Sequence, residues 1–260
     1  FRLSESRGKE AAGIAFATDS TLLVAKAPTP ASIFIKSQSY RTTVDDAVLG
    51  HAPLAFIGHS RLVTDGGREL NLNNQPVVGS GVVGIHNGIV VNHADLWRGH
   101  PDLQRHFEVD SEVIFALLRD RLSRGDEIEQ AVSTTFAELE GAASTAALFV
   151  DRDELLLATN NGSLYYRLSD DGTAFAFASE SYILSQFAER GELAKAFSRT
   201  PIVHLAARTG AWVSISDLSL HRFDFAKPNG TAARKRPAPR LLSDRSASDD
   251  ASAIQRVPQK

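Results

Sequence analysis

The stretch Val82-Val83-Gly84-Ile85-His86-Asn87-Gly88-Ile89-Val90-Val91-Asn92 decides how this chain is read. It opens as a run of β-branched apolar residues, the pattern of a strand buried on both faces. The run breaks at Asn87-Gly88. Both residues tolerate unusual backbone angles, and glycine lets a ligand approach the main chain closely. An asparagine amide beside a free glycine N–H puts two neutral donors at one point. Held at the end of a rigid strand, such a pair can stabilise an oxyanion. A tight turn between two strands is the other reading of the same dipeptide, and the flanking sequence has to separate them.

The chain has 260 residues, 43% hydrophobic and 23% charged, close to an average soluble globular protein. A chain of this size buries roughly three quarters of its unfolded surface and needs no staples to fold. The net charge of −3 argues against nucleic acid or a membrane surface as partner of the folded body. No apolar run approaches the roughly 18 residues that span a bilayer, no signal peptide is visible, and a cytoplasmic location is expected. Cysteine is absent, which removes disulfides, thiolate metal sites and a cysteine nucleophile within these residues. Methionine is absent too, so the natural N-terminus is expected to lie ahead of Phe1.

Outward from the central stretch, Ala11–Thr18, Thr21–Ala27 and Ala52–His59 read as strands, and Pro28–Lys36 as a short helix. Asn92 is placed to cap a helix through Leu96-Trp97. Asp110–Leu122 has Val113, Ile114, Leu117, Leu118 and Leu122 at helical spacing, with Ser111 and Glu112 in its first turn. Asp126–Leu139 is a second amphipathic helix, stopped by Gly141. Short strands follow at 144–150, 154–158, 164–167, 174–178, 202–205, 211–215 and 218–223, with a helix at 181–188. Strands, two helices, then strands is the order of a layered α+β protein. From 226 to 260, prolines scatter among Ser, Ala, Arg and Asp with a basic bias. A disordered basic tail is expected there, with a folded domain over 1–225.

Gly79-Ser80-Gly81-Val82-Val83-Gly84 fits a dinucleotide fingerprint in letters, but a β-branched run follows where a helix has to begin. The histidines show no paired metal-ligand spacing, so no metal and no cofactor is expected. Three other stretches carry chemistry. Arg61 closes the strand Gly58-His59-Ser60-Arg61 beside a Gly-rich loop, where a guanidinium can pair with a carboxylate. Asp110 sits at a helix start, able either to receive an ammonium group or to cap the helix. Arg7-Gly8 with Ala11-Ala12-Gly13 puts small residues where backbones can pack closely. A cation for a carboxylate, an anion for an amine and an oxyanion hole between them describe a site for an α-amino acid with a reactive side-chain carbonyl.

The order of these motifs resembles the class II glutamine amidotransferase domain, an N-terminal-nucleophile hydrolase such as the glutaminase domain of glucosamine-6-phosphate synthase. Arg7-Gly8-Lys9-Glu10-Ala11-Ala12-Gly13 is similar to the family's Arg-Gly-x-Asp-x-x-Gly. Gly58–Gly66 resembles Gly-His-Thr-Arg-x-x-Thr-x-Gly, and Asn73-Asn74-Gln75-Pro76 resembles Asn-x-Gln-Pro. His86-Asn87-Gly88-Ile89 matches His-Asn-Gly-Ile residue for residue. Val109-Asp110-Ser111-Glu112-Val113-Ile114 resembles Thr-Asp-Thr-Glu-Val-Ile.

The resemblance implies a four-layer αββα sandwich with two mainly antiparallel sheets between helix layers. It implies that Arg61 and Thr64 bind the α-carboxylate of L-glutamine, that Asp110 binds the α-ammonium, and that Asn87 with the Gly88 N–H forms the oxyanion hole. Arg7, Gly8 and His86 would stand near the site as structural residues. The family's nucleophile is an N-terminal cysteine about twenty residues ahead of the Arg-Gly motif. Six residues precede Arg7 here, so the cysteine is expected outside these residues. The departures are Glu10 for Asp, and Asp65 where sugar-amidating members carry His. The expected activity is hydrolysis of glutamine to glutamate, with ammonia passed to a synthase domain or subunit. The alternative is a non-catalytic module that keeps the amino-acid pocket and regulates.

Overall fold

The structure is a computed structural model that describes residues 1–18, 21–49, 55–62, 66–67, 69–189, 191–225 and 255–258. Its largest sheet has six strands. They are β4 (Val77–Gly79), β5 (Val82–Val90), β6 (Gly141–Phe149), β7 (Glu154–Thr159), β11 (Thr209–Ser214) and β12 (Leu220–Asp224), in the order β12-β11-β7-β6-β5-β4. All its pairings are antiparallel. A second sheet joins β1 (Ala11–Ala17), β2 (Thr21–Ala27) and β3 (Ala55–Arg61), and a third joins β8 (Leu164–Leu168), β9 (Phe175–Ala178) and β10 (Val203–Leu205).

Alternation along the strands builds the layers, because successive side chains point to opposite faces. In β7, Leu156 and Ala158 face one core with α4 (Glu112–Ser123) and α5 (Ile128–Glu138), while Leu155 and Leu157 face the other sheets. In β5, Val82 and Val90 face the helices; Val83 and Ile85 face Ala15, Val24 and Ile57 of the second sheet. The far face of that sheet, with Ile14, Phe16 and Leu23, packs on α1 (Ala31–Phe34) and α2 (Gln38–Val48). The third sheet carries α6 (Ser181–Ala188) through Ile183 and Leu184. The result is helices, sheet, sheets, helices: the expected four-layer αββα sandwich.

Several local expectations change. The central strand does not break at Asn87-Gly88; β5 runs through both to Val90. Gly88 absorbs the bend with φ +144, and a Cβ there would sit 1.9 Å from the Ala142 carbonyl oxygen. Asn92 precedes α3 (His93–Gly99) without a side-chain cap, because its amide instead donates to Glu138 O and accepts from Glu140 N–H. Helix α2 had no clear sequence signal; its start is fixed by Ser37, whose Oγ accepts from Tyr40 N–H at 3.2 Å. The expected disordered tail is corrected in part. Residues 226–254, 259 and 260 lie outside the described residues, but Gln255–Pro258 forms a strand, β13, paired antiparallel with the edge of β2. Among the described residues no helix is long and apolar enough to cross a membrane.

Candidate active site

Strand β5 is the hub of the site. Its edge away from β6 is covered by β4 only as far as Gly84, opposite Val77. Beyond that point side chains take over the ladder. The Gln75 amide bonds His86 in both directions, accepting from the His86 N–H at 2.6 Å and donating to its carbonyl at 2.9 Å. The Val90 N–H donates to Asp110 Oδ2 at 2.7 Å. Main-chain N–H groups alternate in direction along a strand, so the Gly88 N–H lies on the same edge, between these two bonds. This is the edge where an oxyanion could be received.

Asn87, one residue earlier, faces the second sheet. Its Oδ1 accepts from Arg7 Nη2 at 3.3 Å, and Arg7 Nη1 donates to Glu180 Oε1 at 2.6 Å. That bond fixes the amide orientation and leaves its NH2 with no partner among the described residues. Arg7 is held close by Gly8, where a Cβ would lie 2.2 Å from the Arg61 carbonyl carbon. The Glu10 N–H donates to the Arg61 carbonyl at 3.2 Å. The Arg-Gly segment therefore lies along the end of β3, and the small residues act as the sequence suggests.

Arg61 is 4% exposed. Its Nη1 donates to Asn74 Oδ1 at 2.8 Å and its Nη2 to the Gly66 carbonyl at 2.9 Å. These bonds fix the plane of a buried guanidinium, the state suited to bidentate recognition of a carboxylate. Thr64 and Asp65 lie outside the described residues.

Asp110 is buried and stands two residues before α4, whose N-cap is Ser111. It is not a helix cap: its carboxylate crosses to β5. Ser111 Oγ lies 3.2 Å from Asp110 Oδ1 and 2.9 Å from His86 Nδ1. Burial pushes His86 below the usual imidazole range and outweighs the nearby Asp110. The ring is therefore neutral, with one N–H. If Nε2 donates to the Ala142 carbonyl, 3.3 Å away, Nδ1 accepts from Ser111. Asp110 Oδ1 then keeps its capacity for an ammonium group. His59 is pushed down to about 3 by burial, then by His86 and Arg61, and its Nδ1 is buried without a partner. Among the described residues no cluster of acidic or histidine ligands could hold a metal.

The structure thus brings Arg7, Gly8, Arg61, His86, Asn87, Gly88 and Asp110 together around one end of β5. Sequence reasoning missed Glu180, which anchors Arg7, and the linking roles of Asn74, Gln75 and Ser111. Asn74 and Gln75 lay inside a motif that was read, and their segment was the available signal. A separate cavity of about 290 Å³ opens beyond Ala142, lined by Phe136, Asn161 and Arg208, and contains none of the predicted site residues.

Residues 59–186 match the family model of a glutamine amidotransferase domain. The chain is 32% identical over 111 residues to a glutamine–fructose-6-phosphate aminotransferase of Bradyrhizobium diazoefficiens, covering 41% of this chain and 18% of that protein. The corresponding enzyme of Escherichia coli K12 is 30% identical over 172 residues, covering 62% and 27%. The chain therefore spans about a fifth to a quarter of these relatives. Two solved structures share the fold. Glutamine phosphoribosylpyrophosphate amidotransferase of B. subtilis superposes with TM-score 0.63 at 20% identity, covering 86% of this chain and 45% of that one. A glutamine aminotransferase class-II domain protein from Silicibacter pomeroyi gives 0.57 at 17%, covering 84% and 99%.

Proposed function

We propose that this chain, which carries a class II glutamine amidotransferase domain, hydrolyses L-glutamine to glutamate and supplies the ammonia to a synthase domain or subunit. One observation carries the reading. A single strand presents the Asn87 amide and the Gly88 N–H together, and Asp110 is bonded to the same strand two residues on. A site that only bound an amino acid would have little use for donors aimed at a developing charge.

In this reading Arg61 and Thr64 take the α-carboxylate, and Asp110 takes the α-ammonium. Two opposite charges held by buried groups orient the side chain and leave its amide carbonyl at β5. Attack on that carbonyl moves negative charge onto its oxygen, where Asn87 Nδ2 and the Gly88 N–H donate. As the adduct collapses, the proton given up by the nucleophile passes to the departing nitrogen, so ammonia leaves and the acyl group stays on the nucleophile; water then adds to that acyl group, releases glutamate and returns the proton to the nucleophile. In this reading the attacking group is a cysteine thiol, a residue that these 260 do not contain. His86 has no proton-transfer role here; it is neutral and holds Ser111 and Ala142 in place.

The buried Arg61 and Asp110 would serve equally in a second reading, a regulatory module that binds glutamine without cleaving it. Glutamate release by the full-length protein separates the two. Saturable release supports the enzyme. Binding without release supports the module.

A further inference from the structure

The reaction as described leaves one buried charge without a task. Lys26 projects from β2 into the layer between the sheets and is 9% exposed. It is paired across the ladder with Gly13. A Cβ on Gly13 would meet the Gln75 carbonyl oxygen at 2.2 Å, Lys26 Cβ at 2.7 Å and Pro76 Cδ at 2.8 Å. The Asn-Gln-Pro segment is thus pressed into the slot beside Lys26. There the ammonium donates to three main-chain carbonyls: Asn74 at 2.8 Å, Pro76 at 3.1 Å and Leu72 at 3.2 Å. The Phe107 ring centroid lies 5.9 Å away.

A buried lysine is costly to keep, and its usual compensation is a carboxylate. Here all three protons go to one short segment instead. That segment sends its side chains in two directions. Asn74 Oδ1 accepts from Arg61, and the Gln75 amide closes both main-chain bonds of His86. Lys26 therefore fixes, through one loop, the two halves of the site that have to stay in register.

We infer that Lys26 is a positioning residue: by tying down the carbonyls of Leu72, Asn74 and Pro76, it holds Arg61 and the Asn87-Gly88 stretch of β5 at the mutual distance a bound amino acid requires. The inference rests on the glutamine reading for its ligand, but not for its mechanics. Lys26→Met keeps the length and removes all three donors; Lys26→Arg returns donors to the same place.

The experiment pairs calorimetry with amide hydrogen exchange on full-length protein. Lys26→Met is expected to bind L-glutamine about tenfold more weakly, the size of one charge-assisted hydrogen bond. Lys26→Arg is expected to recover part of that loss. A purely structural residue would lower the melting temperature without moving the affinity of the folded fraction. In the ligand-free protein, amides at 73–75 and 86–90 are expected to exchange faster in Lys26→Met than in wild type. Unchanged protection there overturns the inference even if wild type binds no glutamine, the result that would refute the glutamine reading. Unchanged affinity in Lys26→Met also overturns it.

Discussion

Arg7 donates to Asn87 Oδ1 at 3.3 Å, and the same guanidinium is held by Glu180 at 2.6 Å. The contact joins the chain's first motif to its central one and turns the Asn87 amide nitrogen away from Arg7. Both ends of the anchoring pair are partly exposed, 40% for Arg7 and 38% for Glu180, so solvent screens it. Exposed pairs contribute up to about 1 kcal/mol. Glu180→Gln is therefore expected to lower the glutaminase kcat by up to about fivefold with KM unchanged. Steady-state kinetics check it; a change confined to KM would place Glu180 elsewhere in the mechanism.

Arg61 tests the carboxylate half. Arg61→Lys keeps the charge but loses the planar fork. Affinity for glutamine is expected to fall by about tenfold or more, with Asn74 Oδ1 and the Gly66 carbonyl left under-satisfied at about 1–3 kcal/mol of stability. Calorimetry and urea unfolding read the two effects separately. Intact affinity would remove Arg61 from the substrate.

Gly88 is held by geometry that no other residue fits. Its φ is +144, and an added Cβ would stand 1.9 Å from Ala142 O and 2.9 Å from His86 Nε2. Gly88→Ala is expected to cost about 3 kcal/mol or more and to abolish turnover. A variant of normal melting temperature and normal rate would show that the backbone of β5 is not as described.

Lys26 makes stability depend on pH. Burial, then the Arg61 guanidinium, lowers it from 10.5 to about 7 in the folded protein. The three carbonyls favour the charged form and oppose that shift. Between these two values the unfolded chain binds more protons than the folded one, so stability rises with pH across the interval. From pH 7 to pH 9 the gain is about 2 kcal/mol. Lys26→Met is expected to lack it. Urea unfolding of both proteins at the two pH values decides; equal pH dependence would contradict the burial of the charge.

What the sequence disclosed and what it withheld have physical causes. The unbroken apolar run Val82–Ile85 was legible because the strand is buried on both faces, and α4 because its buried residues recur at helical spacing. Arg61, Asn87 and Gly88 were legible as local groups at strand ends. Helix α2 was not, since its buried residues are only Thr43 and Ala47, a weak apolar stripe. The run of β5 through Asn87-Gly88 was hidden because those letters favour a turn, while the ladder to Ser144 and Ala143 of β6 overrides them. Asp110 was legible as a site candidate but allowed a cap reading as well, because its partner Val90 N–H lies on another element. Glu180 and Lys26 act across the fold, and no spacing along the chain announces contacts of that kind.

The central claim rests on Asn87. The most direct measurement is glutamate release from L-glutamine by the full-length protein, wild type beside Asn87→Ala. The account predicts saturable release by wild type and a kcat lower by about two to three orders of magnitude in the variant, with KM little changed. Equal turnover in the two proteins, or no glutamate from wild type, would contradict it.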